Sequence, residues 1–295
     1  MIKRSVPFLF IFSMAFTSGL FAQIQDGEEQ SRQPGLEYRM FRVAFVPGLS
    51  SNGIDADQYI SKYSFNILGG YNGALEEGFE LGGLVNVNKY YAEGVQVAGL
   101  GNYSDEETSG IQLSGLFNIS GEELQGVQVA GLTNYASDDV QGIQISGLLN
   151  RSGGASQGIQ IAGIANLATN DIQGLLFSGL ANIAGDNMQG ITSSGILNYS
   201  GGDMQGLMFS GVGNYAKNFQ GIAVSTINVA DDFQGIQTGV INAVGYGQGI
   251  QLGVINYGRK FDGLPVGLIS YYRDGRSELD LWTSDGGFTK KYVGF

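Results

Sequence analysis

Carboxylate pairs are the first groups in this 295-residue chain with types and spacing suited to chemistry. Glu106 and Glu107, Glu122 and Glu123, and Asp138 and Asp139 recur at intervals of 16, and Asp171, Asp186 and Asp203 follow in the same phase. Clustered carboxylates ligate calcium, and two acids in unlike environments can divide the work of general acid and base. A pair that repeats looks structural instead, because catalysis needs one tuned pair. Like charges stacked at strand spacing repel, so they belong at solvated turns or are bridged by cations. The glycine-aspartate nonapeptide of calcium-binding β-rolls does not occur, which favours the solvated turn. A second column holds Tyr103, Tyr135, Tyr199, Tyr215 and Tyr257. Such rings can stack on sugars, and more often they edge a core while their hydroxyls meet water.

The remaining chemistry is sparse. The chain contains no cysteine and no histidine. Disulfides, thiolate metal sites and the commonest general base are therefore excluded. No nucleophile elbow, phosphate loop or HExxH motif occurs. The expectation is a non-enzyme, with no catalytic, cofactor-binding or metal-ligating residue assigned and no cofactor. A net charge of −12 opposes binding to phosphate backbones, so nucleic acid is not an expected partner.

The columns are positioned by a repeat. A glycine falls at Gly78, Gly94, Gly110, Gly126, Gly142, Gly158, Gly174, Gly190 and Gly206, spaced by 16, then at Gly221 after 15, and at Gly235, Gly249 and Gly263 after 14 each. Counted from that glycine, position 1 is apolar in every unit, from Phe79 to Leu264. Position 2 is often glutamine: Gln96, Gln112, Gln128, Gln144, Gln160, Gln237 and Gln251. Position 8 is asparagine from Asn86 to Asn214, and the shorter units keep it one place earlier as Asn228, Asn242 and Asn256. Alternation in "GIQIS" signals a strand. Two glycines per unit and turn-forming patches such as "NYASDD" preclude a helix across the unit.

Sixteen residues have a contour of roughly 53 Å at strand rise, which two short sides and two crossings of about 10 Å consume. The expectation is an all-β, two-sided β-solenoid of about thirteen 14–16-residue coils, with capping strands at both ends. Twelve asparagines in register then become a ladder of mutually bonded amides, and the glutamines can do the same. Shortening to 14 is expected to remove one residue from each side. The alternative is an outer-membrane β-barrel, whose strands need about 9–11 residues each, so a hairpin does not fit in 16. The terminal Phe295 keeps that alternative open.

The ends differ from the repeat. Lys3 and Arg4, the apolar run Val6 to Phe16, and a small residue at Ala22 describe a secretory signal peptide over 1–22. Residues 23–77 read as a polar leader followed by N-terminal cap strands, 78–270 as the repeat, and 271–295 as a C-terminal cap containing the only tryptophan, Trp282.

The run of G-x-Q-x-x-G-x-x-N units after "VPGLSSNG" and "FNILGGYNGALEEGFELGGLVN" resembles spirochaete-type bacterial surface repeat proteins over roughly residues 40–270. "QTGVINAVGYGQ", Gln237 to Gln248, looks more faintly like curlin repeats of amyloid fibres. The first resemblance implies export to the cell surface or outer membrane, with the periplasm as a further location, and carries no agreed activity. The chain departs from lipoprotein members of that group in lacking an anchoring cysteine. The expected function is a structural or adhesive scaffold of the cell envelope; the alternatives are a glycan- or cation-binding module and an outer-membrane barrel protein. Partners are unknown, with envelope components, glycans and other surface proteins as the classes in view.

Overall fold

A computed structural model describes residues 35–274 and the two-residue strand Glu278–Leu279. The expected signal peptide, most of the polar leader, and most of the C-terminal cap, with Trp282 and Phe295, lie outside the described residues.

The molecule is a β-solenoid of about thirteen turns and not a barrel. Each 16-residue coil contributes a seven-residue strand, such as Leu124–Ala130, and a four-residue strand, such as Thr133–Ala136. From Ala92 onward each strand pairs in parallel with its counterpart one coil further on, in unbroken register; the pairing of Ala74–Gly82 with Ala92–Ala98 shifts once, between Leu75 and Gly78. Gly126 lies beside Gly142 and Gln128 beside Gln144 on the long side, and Asn134 lies beside Asn150 on the short side. The corners stack as well: Leu148 N donates to Leu132 O at 2.9 Å and Gly147 N to Ala130 O at 3.3 Å.

The repeated glycines follow from this stacking. From Gly94 to Gly263 the first glycine of every unit has φ between +126° and +158°, a region that L side chains rarely enter. A Cβ at Gly142 would sit 1.9 Å from the Gly126 carbonyl oxygen, and one at the corner Gly147 would sit 2.1 Å from Gly131 O. Successive coils touch backbone to backbone at both points.

The change of coil length takes residues from the corners, not from the sides. The interval from asparagine to the next glycine is 8 in Asn150–Gly158 and 7 in Asn214–Gly221, so the acidic corner shortens first. The other corner follows: Gly142 to Asn150 spans 8 and Gly235 to Asn242 spans 7. With the acidic turn reduced, short and long sides run on as single 12-residue strands such as Ile227–Thr238.

Stacking begins before Gly78. The expected strands between 36 and 78 are Glu37–Val46, Tyr59–Asn66 and Gly69–Asn72. Glu37–Val46 pairs in parallel with Tyr59–Asn66, which pairs in parallel with Ala74–Gly82, so these segments are rungs of the same stack. The antiparallel pairings among the described residues are at the ends. Leu49–Ser50 folds back on Ala44 and Val46, and Glu278–Leu279 pairs with Ile269 and Ser270. Short antiparallel segments of this kind blunt an edge that would otherwise recruit another strand.

Polarity is inverted relative to an ordinary β-domain. On the long side the even positions point inward, so glutamine at position 2 is buried, with Gln112, Gln128 and Gln144 at 0% exposure. The branched aliphatics at positions 1 and 3 point outward, with Ile145 at 37%. Leu132, Leu148 and Ile164 cover the glycine corner and are also exposed. The interior holds amides, small residues at position 4, and two apolar clusters. The larger cluster includes Ile172, Leu176, Met188, Met204, Met208, Phe219 and Phe233.

Candidate functional site

The most developed polar constellation is the pair of buried amide ladders with their charged start. Each asparagine stands on the short strand with its side chain inside the coil, where nothing but another polar group can satisfy it. Asn118 Nδ2 donates to Asn134 Oδ1 at 3.0 Å, Asn134 to Asn150 at 3.0 Å, and Asn150 to Asn166 at 2.9 Å. A second donation crosses to the long strand of the next coil, as from Asn134 Nδ2 to Ile145 O at 2.8 Å. The line continues through Asn228 and Asn242 despite the shorter coils and closes on Ser270 Oγ, 3.3 Å from Asn256 Nδ2. The glutamine ladder runs the other way. Gln112 Nε2 donates to Gln96 Oε1 at 2.7 Å, and Gln128, Gln144 and Gln160 each donate to the glutamine before them at 2.8, 2.9 and 3.0 Å. It stops where Leu176 takes position 2, and Gln160 Oε1 is buried without a partner. A short second run, Gln251 to Gln237 at 2.8 Å, is closed by the Tyr272 hydroxyl, which donates to Gln251 Oε1.

Two charged residues begin these lines. Glu80 occupies position 2 in the first unit, fully buried, and accepts from Gln96 Nε2 at 2.9 Å, Asn88 Nδ2 at 2.8 Å, Asn66 Nδ2 at 2.9 Å and Ser64 Oγ at 3.1 Å. Arg42, 1% exposed, donates to Asn66 Oδ1 at 2.6 Å, Ser64 Oγ at 3.0 Å and Tyr71 O at 2.6 Å. Burial lowers the Arg42 pKa and the nearby Glu80 charge opposes that shift. A carboxylate thus meets the donor end of the glutamine ladder, and a guanidinium meets the acceptor end of the asparagine ladder. Asn66 extends the asparagine line by one member although it is off the 16-residue phase. Gly70 stands in register with Asn86, and a Cβ there would lie 2.1 Å from the Asn66 amide, so the absent side chain makes room for Asn66.

Sequence reasoning anticipated both ladders and missed Arg42, Glu80 and Asn66. One signal was present: Glu80 is the only acid at position 2 among the repeats.

The acidic column lies at one corner and acts on the neighbouring coil. Asp139 Oδ1 accepts from Ala155 N at 2.7 Å, and Asp171 Oδ1 accepts from both Asn187 N and Asn187 Nδ2 at 2.9 Å. Asp203 Oδ1 accepts from Asn218 Nδ2 at 2.6 Å. Among the described residues no three acids converge into a cluster able to hold a metal ion. The tyrosines of successive coils stack on one another: Tyr199 and Tyr215 have centroids 5.1 Å apart, and Tyr257 and Tyr271 5.9 Å apart. Their faces toward each other are thereby occupied. Tyr103 is partly buried and donates to Asp105 Oδ1 at 2.6 Å, and burial with that bond raises its pKa.

A shallow groove of about 470 Å³ runs along the coils of 15 and 14 residues. Its lining includes Asp203, Asn218, Asp232 and Lys260, the amides of Gln205, Gln220 and Gln234, and the rings of Phe219 and Phe233. No protein-family model, curated protein or solved structure matches this chain.

Proposed function

We propose that the chain is an exported, non-catalytic scaffold of the cell envelope, a stiff rod with a structural or adhesive role at the surface or outer membrane. The observation that carries this is the asparagine line from Asn66 to Ser270, which ties every coil to the next through buried side chains. Thirteen coils at about 4.8 Å each give a rod on the order of 60 Å long. The basic, apolar and small residues of Lys3 to Ala22 support export, and the resemblance to surface repeat proteins points the same way. Fractionation of expressing cells, combined with protease treatment of whole cells, tests this. The processed chain is expected in the envelope and open to protease; recovery of the bulk of it in the cytoplasm overturns the proposal.

A second function, recognition of an extended glycan, is favoured by the groove, where Gln205, Gln220, Gln234 and Gln248 recur once per coil along the axis beside Asp203 and Asp232. A glycan array read with the unmodified chain and with Asp232→Ala is the test. Binding by the first and not by the second is expected under this alternative, and silence from both removes it.

A further inference from the structure

Burying amides leaves the aliphatics with nowhere to go but outward. On the long side, positions 1 and 3 form two adjacent columns, represented by Ile111 and Leu113, Ile143 and Ile145, and Ile159 and Ile161. Exposure of 38% at Leu113 and 40% at Ile161 is what remains after each side chain has packed against those above and below. The flanking column, one place before the glycine, is glutamine from Gln125 to Gln248. From Ser109 to Leu252, no charged residue occupies any of these three outward columns, in a chain of net charge −12. The acids are set apart at one corner.

We infer that this long face is a self-association surface, on which a second copy of the chain packs sheet to sheet. Area and charge select that occupant. Columns spanning positions −1 to 3 are about 13 Å wide, and the ten coils from Ser109 to Leu252 are roughly 48 Å long. The product, near 600 Å² from each partner or about 1,200 Å² in all, reaches the lower end of the range for stable complexes. A flat repeating face fits a copy of itself because both carry the same 4.8 Å period. Charge then chooses the arrangement. A two-fold axis parallel to the rods, between columns 1 and 3, sets each residue at position 1 against the partner's residue at position 3. It also places the acidic corner of one rod over the apolar corner of the other. The rival axis, along the strands, would bring the two acidic corners to the same side and is disfavoured by their repulsion. The short side is less suited, because Arg151 breaks it and Gly101, Ala165 and Gly213 leave it uneven. This goes beyond the scaffold reading and does not depend on export.

The test uses the whole chain purified without detergent. Light scattering at micromolar concentration is expected to give the mass of two chains. Ile143→Lys with Ile159→Lys is expected to weaken association by more than about a hundredfold, because each ammonium would then be buried against an aliphatic residue at position 3 of the other copy with no group to pair it. The circular dichroism spectrum should stay unchanged, since both side chains point away from the core. The absence of native cysteine makes single-cysteine variants informative. Ile145→Cys should join to itself through a short bismaleimide and Asp138→Cys should not. A monomer at every concentration, a dimer indifferent to the two lysines, joining through Asp138→Cys instead, or association only with lipid vesicles would each overturn the inference.

Discussion

The coils opened by Gly94 to Gly158 and those opened by Gly174 to Gly221 share one asparagine ladder, one apolar exterior and one acidic corner, yet they fill the long side of their interiors differently. In the first group position 2 is glutamine in every coil, each amide bonded to the next. In the second group the same place is held in turn by Leu176, Thr192, Met208 and Ala223, packed among Ile172, Met188, Met204 and Phe219. Hydrogen bonds are directional and fail if one member is missing, so an amide line demands the same residue in every coil. Apolar packing is non-directional, and methionine fills irregular space. Identity therefore relaxes in the second group, and the coil length first changes there, from 16 through 15 to 14. Thr192 is the exception that stays polar, and it bonds to the asparagine line, accepting from Asn182 Nδ2 and donating to Asn198 Oδ1, each at 3.0 Å.

The largest expected effect lies at the head of the amide-filled group. Arg42→Met leaves Glu80 buried beside no cation and removes the donors to Asn66 and Tyr71, a loss of about 3–5 kcal/mol in stability measured by urea unfolding. A loss below about 1 kcal/mol would show that the head does not anchor the ladders. Next comes a reciprocal exchange. Gln144→Leu strands Gln128 Oε1 and Gln160 Nε2 and should cost about 2–4 kcal/mol. Leu176→Gln supplies a donor to the unpartnered Gln160 Oε1 and should change stability by less than about 1 kcal/mol. Equal costs would erase the distinction between the two interiors. A smaller effect is expected at the corner: Asp171→Ala removes the acceptor of the Asn187 amide at an exposed site, for about 1 kcal/mol or less.

The smallest effect appears only in alkali. Tyr91 is pushed up to about 12, first by burial and then by Glu76, Glu93, Glu106 and Glu107. The folded pKa lies above the unfolded value of about 10, so the contribution to stability is complete below pH 10 and fades as pH rises toward 12. Ultraviolet titration of the native chain against Tyr91→Phe should show one phenol missing from the transition near 12. An unchanged curve would contradict the assignment.

The solenoid and its asparagine line were legible because a regular interval places like residues over one another, and the asparagines keep it at 16 from Asn86 to Asn214 and at 14 from there to Asn256. The inverted polarity was not. Alternation in "GIQIS" states that Ile and Gln occupy opposite faces and carries no information on which face is inside. Only the counting of amide partners, possible once the coils are stacked, decides it. Arg42, Glu80 and Asn66 escaped for a related reason. Each acts once, at the head of the stack, and a method that reads recurrence passes over what occurs singly. The corners deceived in another way: spacing records how many residues a coil loses, and it took the stacked structure to locate the loss at the turns.

The opposed sense of the two ladders bears on how long such a rod can grow. A file of amides all pointing one way is a chain of small dipoles whose total moment would grow with each added member. Over the coils from Gln96 to Gln160 a second file points back beside the first, and the moments subtract. Lengthening by whole coils in that stretch would then leave the field at the tips nearly constant, and one cation with one anion, set once at the beginning, would serve a short shaft or a long one equally well.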